Sequence, residues 1–398
     1  MPGLEAFFRS FARRYVVAFG LTAVIMIGAV VMVNYVINDK INSIPRLNVK
    51  TDKSSSQVLN FLLIGSDTRA FVKDSSDATA FGNSSSAGGQ RSDTLMVVHL
   101  DPAHQHALVV SFPRDLWVEI AGVPLDQNHC STVSTGKCMS KINSAFGNGA
   151  DTVIKTLKQN FDIPINHYIE VDFKSFQGIV DAVGTVPIYF PYPARDDKTG
   201  LYSPLAGCKL LDGKAALAYA RARDLQYYSF PKAKWLVADA QADLDRIKRQ
   251  QDFMKKVASV AVAHSLNNPV TANEVVDQIL GNLKIDASLG KDALLSLIDV
   301  FRSVNPDDSS HVAFVTIPTL NGSAGTLSVL RVSKPDADTI LSALRDFSGK
   351  ASQPITTTTA KVATTSASGV TTTTTPSTPS PIANKSQLGE PAAKTPPC

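Results

Sequence analysis

The hydrophobic positions of the chain begin with one long unbroken run and then divide into shorter periodic stretches. The run covers residues 15–37, YVVAFGLTAVIMIGAVVMVNYVI, and contains no charged residue. At about 1.5 Å per residue it matches the roughly 30 Å hydrocarbon core of a bilayer, so we predict one N-terminal transmembrane helix. A cleaved signal peptide is the alternative, but its apolar part is about 7–15 residues long and ends at small residues. The sequence NYVINDK at the end of this run offers no such site.

Charge around the predicted span sets its orientation. Three arginines within residues 1–14 precede the span, whereas an aspartate and a lysine balance one another directly after it. The positive-inside rule therefore keeps residues 1–14 in the cytoplasm. This predicts a single-pass protein of the cell membrane, with everything after the span outside the cytoplasm.

The rest of the chain divides by pattern and composition. After a polar stalk at residues 38–57, strand-like and helical patterns alternate over 58–263 and predict one main α/β domain. Residues 264–349 hold two helical patterns and a strand-like stretch, and either complete that domain or form a small accessory one. Residues 350–398 are rich in Thr, Ser and Pro. They cannot bury enough apolar surface to offset the entropy of ordering, so we predict a disordered tail.

Three apolar stretches near the start of the main domain, VLNFLLI, TLMVVHL and HALVVSF, predict strands with charge at one end. A short polar link, Asp101 to Gln105, joins the second stretch to the third and predicts an antiparallel hairpin. If the first strand runs parallel to the third, one edge of the sheet collects the charged residues at the strand ends. These are Asp67, Arg69, Arg91, Asp93 and Arg114.

That set of residue types indicates a particular chemistry. Two neighbouring carboxylates repel unless a cation or a proton lies between them, and carboxylates suit a hard ion such as Mg²⁺. Arginine presents a planar, always charged fork that matches phosphate oxygens. For any single residue a surface ion pair is the better interpretation. The grouping, however, indicates a metal-bound phosphate or pyrophosphate.

Two further segments carry candidate binding residues. LLDGKAALAYARARD predicts a helix that begins at Asp212 and unwinds at Arg221, because on a continuous helix Arg221 and Arg223 would point about 200° apart. A strand-like exit would bring the two arginines to the same side. ADLDRIKRQQDF predicts a helix with Arg246 and Gln250 on one face, beside an apolar stripe.

A third helix, DFKSFQGIVDAVGTV, begins at the candidate N-cap Asp172 and ends at Gly184. Its apolar face predicts, above all, a helix of the hydrophobic core. The same helix and the following VPIYFPYP are also candidates for the wall of an apolar tunnel.

Composition narrows the function class. The 398 residues are 44% hydrophobic, enough for a sizeable core, and a formal charge of +4 is too small to indicate a nucleic-acid partner. Cys130 and Cys138 enclose a Ser/Thr/Gly segment, which favours a disulfide-closed loop over a metal site. Cys208 has no obvious partner, and Cys398 is the last residue.

Seven blocks in order resemble the LytR-CpsA-Psr family. They are LLIGSDTR, RSDTLMVVHLDP, VVSFPRDLWVEI, KINSAF, HYIEVDFKSFQGIVDAVG, LDGKAALAYARARD and DLDRIKRQQDF. One membrane span before the domain also matches the family. The chain departs from it at Thr185 and Asp245, where members usually have glycine, and in the long segment LQYYSFPKAKWLVADAQ.

The resemblance implies a three-layer αβα domain with a central mixed sheet. It also implies an enzyme that transfers a glycopolymer from a polyprenyl-pyrophosphate carrier onto peptidoglycan and releases polyprenyl phosphate. Asp67 and Asp93 would bind Mg²⁺, or Mn²⁺ in its place, and would act in catalysis together with Arg114. The implied pyrophosphate-binding residues are Arg69, Arg91, Arg114, Arg221, Arg223, Arg246 and Gln250.

The sequence therefore predicts a Mg²⁺-dependent phosphotransferase at the cytoplasmic membrane, with a lipid-linked glycopolymer and peptidoglycan as partners. Two alternatives stay open. One is a pyrophosphatase that releases the same carrier to water, and the other is a non-enzymatic binding or regulatory module of the cell envelope. The sequence identifies neither the polymer nor the residue that accepts the proton.

Overall fold

The computed structural model describes residues 39, 44–67, 92–239, 242–267, 281–302, 311–348, 388, 391–392 and 398. The chain forms two compact units, Met1–Ile44 and Pro45–Cys398, and nearly all described residues belong to the second. The predicted membrane span at 15–37 lies outside them. In the described ranges, no helix combines the length and the apolar character that crossing a bilayer requires.

The strands and helices alternate along the second unit. The strands are β1 (Arg46–Leu47), β2 (Leu59–Ser66), β3 (Ser92–Asp101), β4 (His106–Ser111), β5 (Trp117–Glu119), β6 (Thr132–Ser134), β7 (Lys137–Lys141), β8 (His167–Asp172), β9 (Val186–Phe190), β10 (Ala194–Asp196), β11 (Leu201–Ser203), β12 (Gly207–Leu211), β13 (Gln226–Ser229), β14 (Lys234–Val237), β15 (Lys284–Asp286), β16 (Val312–Thr316), β17 (Thr319–Ala324) and β18 (Leu327–Val332). The helices of the described residues are α1 (Ala150–Phe161), α2 (Phe173–Val183), α3 (Gly213–Arg221), α4 (Ala242–Asn267), α5 (Lys291–Arg302) and α6 (Asp336–Arg345), with a 3-10 helix at Ile142–Asn148.

A seven-stranded sheet forms the centre of the fold, in the order β1-β15-β8-β2-β3-β4-β16. Strands β2, β3 and β4 are antiparallel neighbours, whereas β8 and β16 join them in parallel. The predicted hairpin is confirmed, with Met96 opposite Ser111 and Asp101 opposite His106. The mixed α/β fold with a central mixed sheet is therefore confirmed. Strands β15 and β16, from the region that the sequence left open, belong to the same sheet.

Helices cover both faces of this sheet. On one face, Leu62 and Ile64 of β2 are buried in a core shared with Leu157 of α1 and Leu344 of α6. Alternate residues of a strand point to opposite faces, so the neighbouring positions of β2 and β3 face the other layer. That second layer contains α2, α3 and α4.

Helix α2 begins and ends at the predicted residues. The Asp172 side chain accepts a hydrogen bond of 2.9 Å from the backbone N–H of Ser175, and Gly184 follows the last helical residue with a positive φ of 96°. Helix α3 begins close against α2, because a Cβ on Gly213 would stand 2.6 Å from the backbone oxygen of Gln177. The tight packing of these two helices fixes where α3 begins.

Two disulfides tie down peripheral segments. Cys130 and Cys138 are bonded, as predicted. Cys208 on β12 is bonded to Cys398 across 190 positions, a pairing that the sequence did not indicate.

The described residues near the C-terminus lie against the domain. Leu388 packs with Tyr192 and Leu236, and the N–H of Ala392 donates a hydrogen bond of 2.9 Å to the backbone oxygen of Pro191. These few residues of 350–398 are therefore attached to the fold, unlike the free tail that composition predicts. The disorder predicted for the rest of that segment concerns residues outside the described ranges.

Candidate active site

The charged strand ends meet at one edge of the central sheet. Gly65 pairs with Thr94 and Ser66 pairs with Ser92, which leaves Asp93 as the extra residue of a β-bulge. Asp67 directly follows Ser66, so the two aspartates lie at the same end of adjacent strands. Arg69 and Arg91 lie outside the described residues, and their placement stays a prediction.

Arg114 follows β4 at this same edge. Its Nη1 donates a hydrogen bond of 2.9 Å to Oδ1 of Asp93. Because β4 is antiparallel to β3, the end of one strand adjoins the start of the other. The sequence prediction that Asp93 and Arg114 fall at one end of the hairpin is confirmed.

Helix α4 brings Arg246 and Gln250 to the strand edge. Arg246 is only 1% exposed, and its Nη2 donates a hydrogen bond of 2.9 Å to the backbone oxygen of Asp93. One turn later, Gln250 accepts a hydrogen bond of 3.1 Å from Oγ1 of Thr94 and donates one of 3.1 Å to the backbone oxygen of Ala220. Gln250 thereby links the sheet edge to the end of α3.

A third carboxylate of the cluster, Asp243, was missed by the sequence reasoning. Its Oδ1 lies 2.8 Å from Nη2 of Arg246 and 3.1 Å from Nε of Arg114. Acids and arginines therefore alternate through the cluster, with Asp93 and Asp243 sharing the same two guanidinium groups. The i, i+3 spacing of Asp243 and Arg246 on a helix was the available signal.

The two carboxylates have opposite pKa shifts because their surroundings differ. Burial acts to raise the pKa of Asp93, but the charges of Arg246 and Arg114 outweigh it and lower that pKa. Burial raises the pKa of Asp243 above its usual range despite the same two arginines. Asp93 accepts a well-aligned hydrogen bond from Arg114, whereas both oxygens of Asp243 are buried without a hydrogen bond among the described residues. Asp93 is thus the better stabilised anion.

Helix α3 ends where the sequence predicted. It covers Gly213–Arg221, the Asp212 side chain caps its start, and Ala222 is extended, with φ −55° and ψ 130°. The Arg221 guanidinium lies 4.4 Å from the ring centroid of Phe173. The charge of Arg223 acts on the pKa of both Asp93 and Asp243, so it too lies near the cluster.

Arg249 holds the end of α3 in place. This arginine is 9% exposed, and its Nη1 lies 2.8 Å from Oδ1 of Asp239. Its Nη2 donates a hydrogen bond to the backbone oxygen of Ala222, between Arg221 and Arg223. Arg249 thereby ties helix α4 to the backbone between Arg221 and Arg223.

An apolar cavity of about 220 Å³ opens beside the charged cluster. Asp93, Arg221 and Gln250 line one part of it. The remaining lining is mostly apolar and comes from β2, β3, β8, α2, α3 and α4, including Met96, Phe173, Phe176, Ile179, Phe253, Met254 and Val257. Helix α2 thus forms a wall of an apolar slot, as its sequence indicated. A ligand with an anionic group and an apolar tail matches this arrangement.

The fold and the site define a mixed α/β protein with an arginine-rich sheet edge beside an apolar cavity. The LytR_cpsA_psr family matches residues 32–346. The match covers well over half of the chain, and the chain belongs to the LytR-CpsA-Psr family.

Individual relatives align with this chain over only part of their own length. The "Probable cell wall biosynthesis protein LcpB" of Corynebacterium glutamicum is 30% identical over 59% of this chain and 50% of its own. The "Polyisoprenyl-teichoic acid--peptidoglycan teichoic acid transferase TagU" of Bacillus cereus is 31% identical over 55% of this chain and 57% of its own. The chain thus spans about half the length of these curated relatives.

Solved structures share the fold. The "LytR-Csp2A-Psr enzyme from Actinomyces oris" is 20% identical with a TM-score of 0.56, over 75% of this chain and 95% of that one. TagV of B. subtilis is 21% identical with a TM-score of 0.52, over 74% and 98%.

Proposed function

We propose that this protein transfers a glycopolymer from a polyprenyl-pyrophosphate carrier onto peptidoglycan and releases polyprenyl phosphate. The observation that carries the proposal is the junction of an arginine cluster with an apolar cavity at Arg221. A prenyl chain fits the apolar side, and a pyrophosphate fits the charged side. The names of LcpB and TagU, a cell wall biosynthesis protein and a transferase, support the same function.

The arginines have separate tasks in this proposal. Arg221 ends helix α3 at the cavity and Arg223 follows on the extended segment beyond it, so their forks bind the pyrophosphate oxygens. Arg114 and Arg246 form ion pairs with Asp93 and Asp243. They position those carboxylates and add positive charge to the site. The transition state of phosphoryl transfer carries its charge on the phosphate oxygens, which makes this arrangement of fixed cations effective.

The proposed reaction exchanges one P–O bond for another. A hydroxyl oxygen of a muramyl sugar bonds to the sugar-proximal phosphorus, and the bond from that phosphorus to the bridging oxygen breaks. Polyprenyl phosphate leaves with that oxygen and the bond's electron pair, while an aspartate of the sheet edge accepts the hydroxyl proton. Arg69 and Arg91 are further phosphate-binding candidates on the strength of the family resemblance.

Asp67 and Asp93 suit a magnesium ion by their chemistry and their position. Within the described ranges, no group of three or more His, Cys, Asp or Glu is arranged to hold a metal. Mg²⁺ needs only one or two carboxylates when substrate phosphates and water complete its shell. The bulge at Asp93, next to the strand end at Asp67, supplies two. Bound there, Mg²⁺ or Mn²⁺ would neutralise phosphate charge.

The location of the protein is part of the proposal. With residues 15–37 as a membrane span and the domain outside, the cavity would meet lipid carriers at the outer surface of the cytoplasmic membrane. Peptidoglycan lies on that side as well. Both substrates would then reach one site.

The direct test is a transfer reaction with purified protein. Lipid-linked glycopolymer, labelled in the sugar, is incubated with peptidoglycan and Mg²⁺, and we expect label covalently attached to peptidoglycan. Arg221→Ala should abolish most of the transfer, whereas Lys248→Ala, an exposed change on α4, should not alter it. Free polymer without a coupled product would instead indicate a pyrophosphatase. Wild-type protein that yields neither product would indicate a binding module.

A further inference from the structure

A second sheet stands beside the proposed active site. Its strands are ordered β11-β10-β13-β14, and β13 and β14 come from the segment that is longer than usual for the family. One face of this sheet is buried, with Ala194, Asp196, Leu201 and Leu236 each at most 9% exposed. Residues directly opposite each other in a sheet share a face, so the remaining positions form the outer face.

The outer face carries a row of aromatic side chains around one arginine. Arg195 is opposite both Tyr202 and Gln226, and Tyr228 is opposite Trp235. The Arg195 guanidinium lies 4.6 Å from the ring centroid of Trp235, and its Nε donates a hydrogen bond of 2.9 Å to Gln226. We call Arg195, Tyr202, Tyr228, Phe230 and Trp235 the aromatic face.

Ring contacts extend the face past the end of β13. The Tyr228 ring centroid lies 5.4 Å from that of Trp235 and 5.3 Å from that of Phe230. Tyr202 and Phe230 are 67% and 63% exposed. Tyr228, Phe230 and Trp235 are therefore held by one another, and the row is open to solvent at both ends.

The aromatic face leads into the proposed active site. Tyr202 lines a groove of about 640 Å³ that runs along α3 to Arg221. Leu217 and Arg221 line both this groove and the apolar cavity. A polymer lying in the groove would thus end where the prenyl pyrophosphate is proposed to bind.

The groove has a surplus of positive charge. Three lysines line it: Lys198, which lies 2.7 Å from Asp224, and Lys209 and Lys214. Two acids also line it, but Asp197 lies 3.7 Å from Arg195 and Asp212 caps helix α3. Neither Lys209 nor Lys214 forms an ion pair with another described residue. Together with Arg221 they suit a chain that carries carboxylates.

We propose that the aromatic face and the groove bind the glycan strand of peptidoglycan, the acceptor of the proposed reaction. Aromatic rings present flat apolar surfaces for sugar rings, Arg195 and Gln226 offer hydrogen bonds to hydroxyl groups, and the lysines pair with carboxylates of the peptide stems. Of the paired outer positions, only Val237 is aliphatic. Because the face continues through Tyr202 into the lysine-lined groove that ends at Arg221, a glycan strand bound there would reach the proposed reaction site.

A cosedimentation assay tests this inference without any chemistry. Wild-type protein is titrated with peptidoglycan sacculi stripped of attached polymers, and the bound fraction gives the affinity. Tyr202→Ala and Trp235→Ala should each weaken binding roughly tenfold, about the loss of one well-packed aromatic contact. Leu320→Ala, a 56% exposed change on β17, is the matched control and should bind like wild type.

Folding and alternative ligands are controlled in the same experiment. Tyr202 is largely exposed, so its variant should keep the wild-type unfolding temperature even if Trp235→Ala does not. Equal binding of wild type and Tyr202→Ala would overturn the inference. The inference would also be overturned if the variants bound sacculi like wild type but lost binding to phosphatidylglycerol vesicles or to lipid-linked donor.

The inference rests on the proposed function for its role, and the two can fail separately. In the transfer reaction, Trp235→Ala should raise the apparent KM for peptidoglycan roughly tenfold and leave that for the donor unchanged. Transfer with an unchanged KM for peptidoglycan would refute the glycan site and leave the function intact. If sacculi bind through the aromatic face but no transfer occurs, the proposed function is refuted and the glycan site stands.

Discussion

Replacing Arg246 with methionine removes a cation that is 1% exposed while keeping most of the side-chain volume. Arg246 lies 2.8 Å from Asp243 and 3.9 Å from Asp93. With an effective dielectric constant of about 20, these distances correspond to gross attractions of about 6 and 4 kcal/mol. Desolvation of the three groups offsets much of that sum, and breaking a buried pair typically costs about 3–5 kcal/mol.

We therefore expect Arg246→Met to lower the free energy of unfolding by about 3–5 kcal/mol, a large share of the stability of a typical domain. Urea unfolding of the purified protein, followed by circular dichroism, measures this change. Lys248→Met is the matched control, because Lys248 is exposed on the same helix, and it should change the free energy by less than about 0.5 kcal/mol.

A double-mutant cycle isolates the reason for the loss. If Asp243 is left uncompensated in Arg246→Met, then adding Asp243→Asn should restore part of the lost stability. Equal stability losses for Arg246→Met and Lys248→Met would refute the reasoning. Strictly additive losses in the double variant would also contradict it, since they would show that the two charges do not interact.

Four further predictions concern other parts of the structure. Burial lowers the pKa of His99 to about 4, below its usual 6.5, so the unfolded chain binds a proton first and stability should fall as the pH drops from 6.5 to 4. Over this pH range, His99→Gln should lose about 3 kcal/mol less of its free energy of unfolding than wild type, measured by urea unfolding at several pH values. Cys208→Ser should destabilise the protein more than loss of the Cys130–Cys138 bond. The disulfide of Cys208 with Cys398 closes a loop across 190 positions, whereas the other disulfide spans 8. Unfolding of the variants without reductant measures the difference. Ile179→Trp should fill the apolar cavity and weaken binding of fluorescent polyprenyl phosphate at least tenfold, roughly the effect of losing 1.4 kcal/mol. Chelation of divalent cations should stop transfer and added Mg²⁺ should restore it, whereas transfer that continues under chelation would exclude a metal role for Asp67 and Asp93.

Much of the active-site region was predictable because local patterns determine it. The hairpin of β3 and β4 follows from two apolar stretches joined by a short polar link, and this alone brings Asp93 to Arg114. The end of α3 at Arg221 was predicted from two arginines one residue apart, which a continuous helix would point in different directions. The apolar face of α2 predicted both a core helix and a cavity wall.

Other features depend on contacts between distant segments, which single-sequence patterns do not contain. Asp243 is ordinary as a residue in the first turn of a helix, and only the docking of α4 on the sheet edge places it beside Arg114. The bond between Cys208 and Cys398 joins a strand to the chain end, and no spacing rule predicts it. The aromatic face likewise requires the pairing of four short strands.

The most direct test of the account is to locate the lipid carrier on the protein. A polyprenyl pyrophosphate with a photoreactive group in its prenyl chain would be bound, irradiated and mapped by mass spectrometry. We predict crosslinks to the cavity walls on α2 and α4, at Phe176, Ile179 and Met254, and their loss when unlabelled polyprenyl pyrophosphate competes. Specific crosslinks elsewhere on the domain, with none on α2 or α4, would contradict the central claim that one cavity holds the prenyl chain beside the arginine cluster.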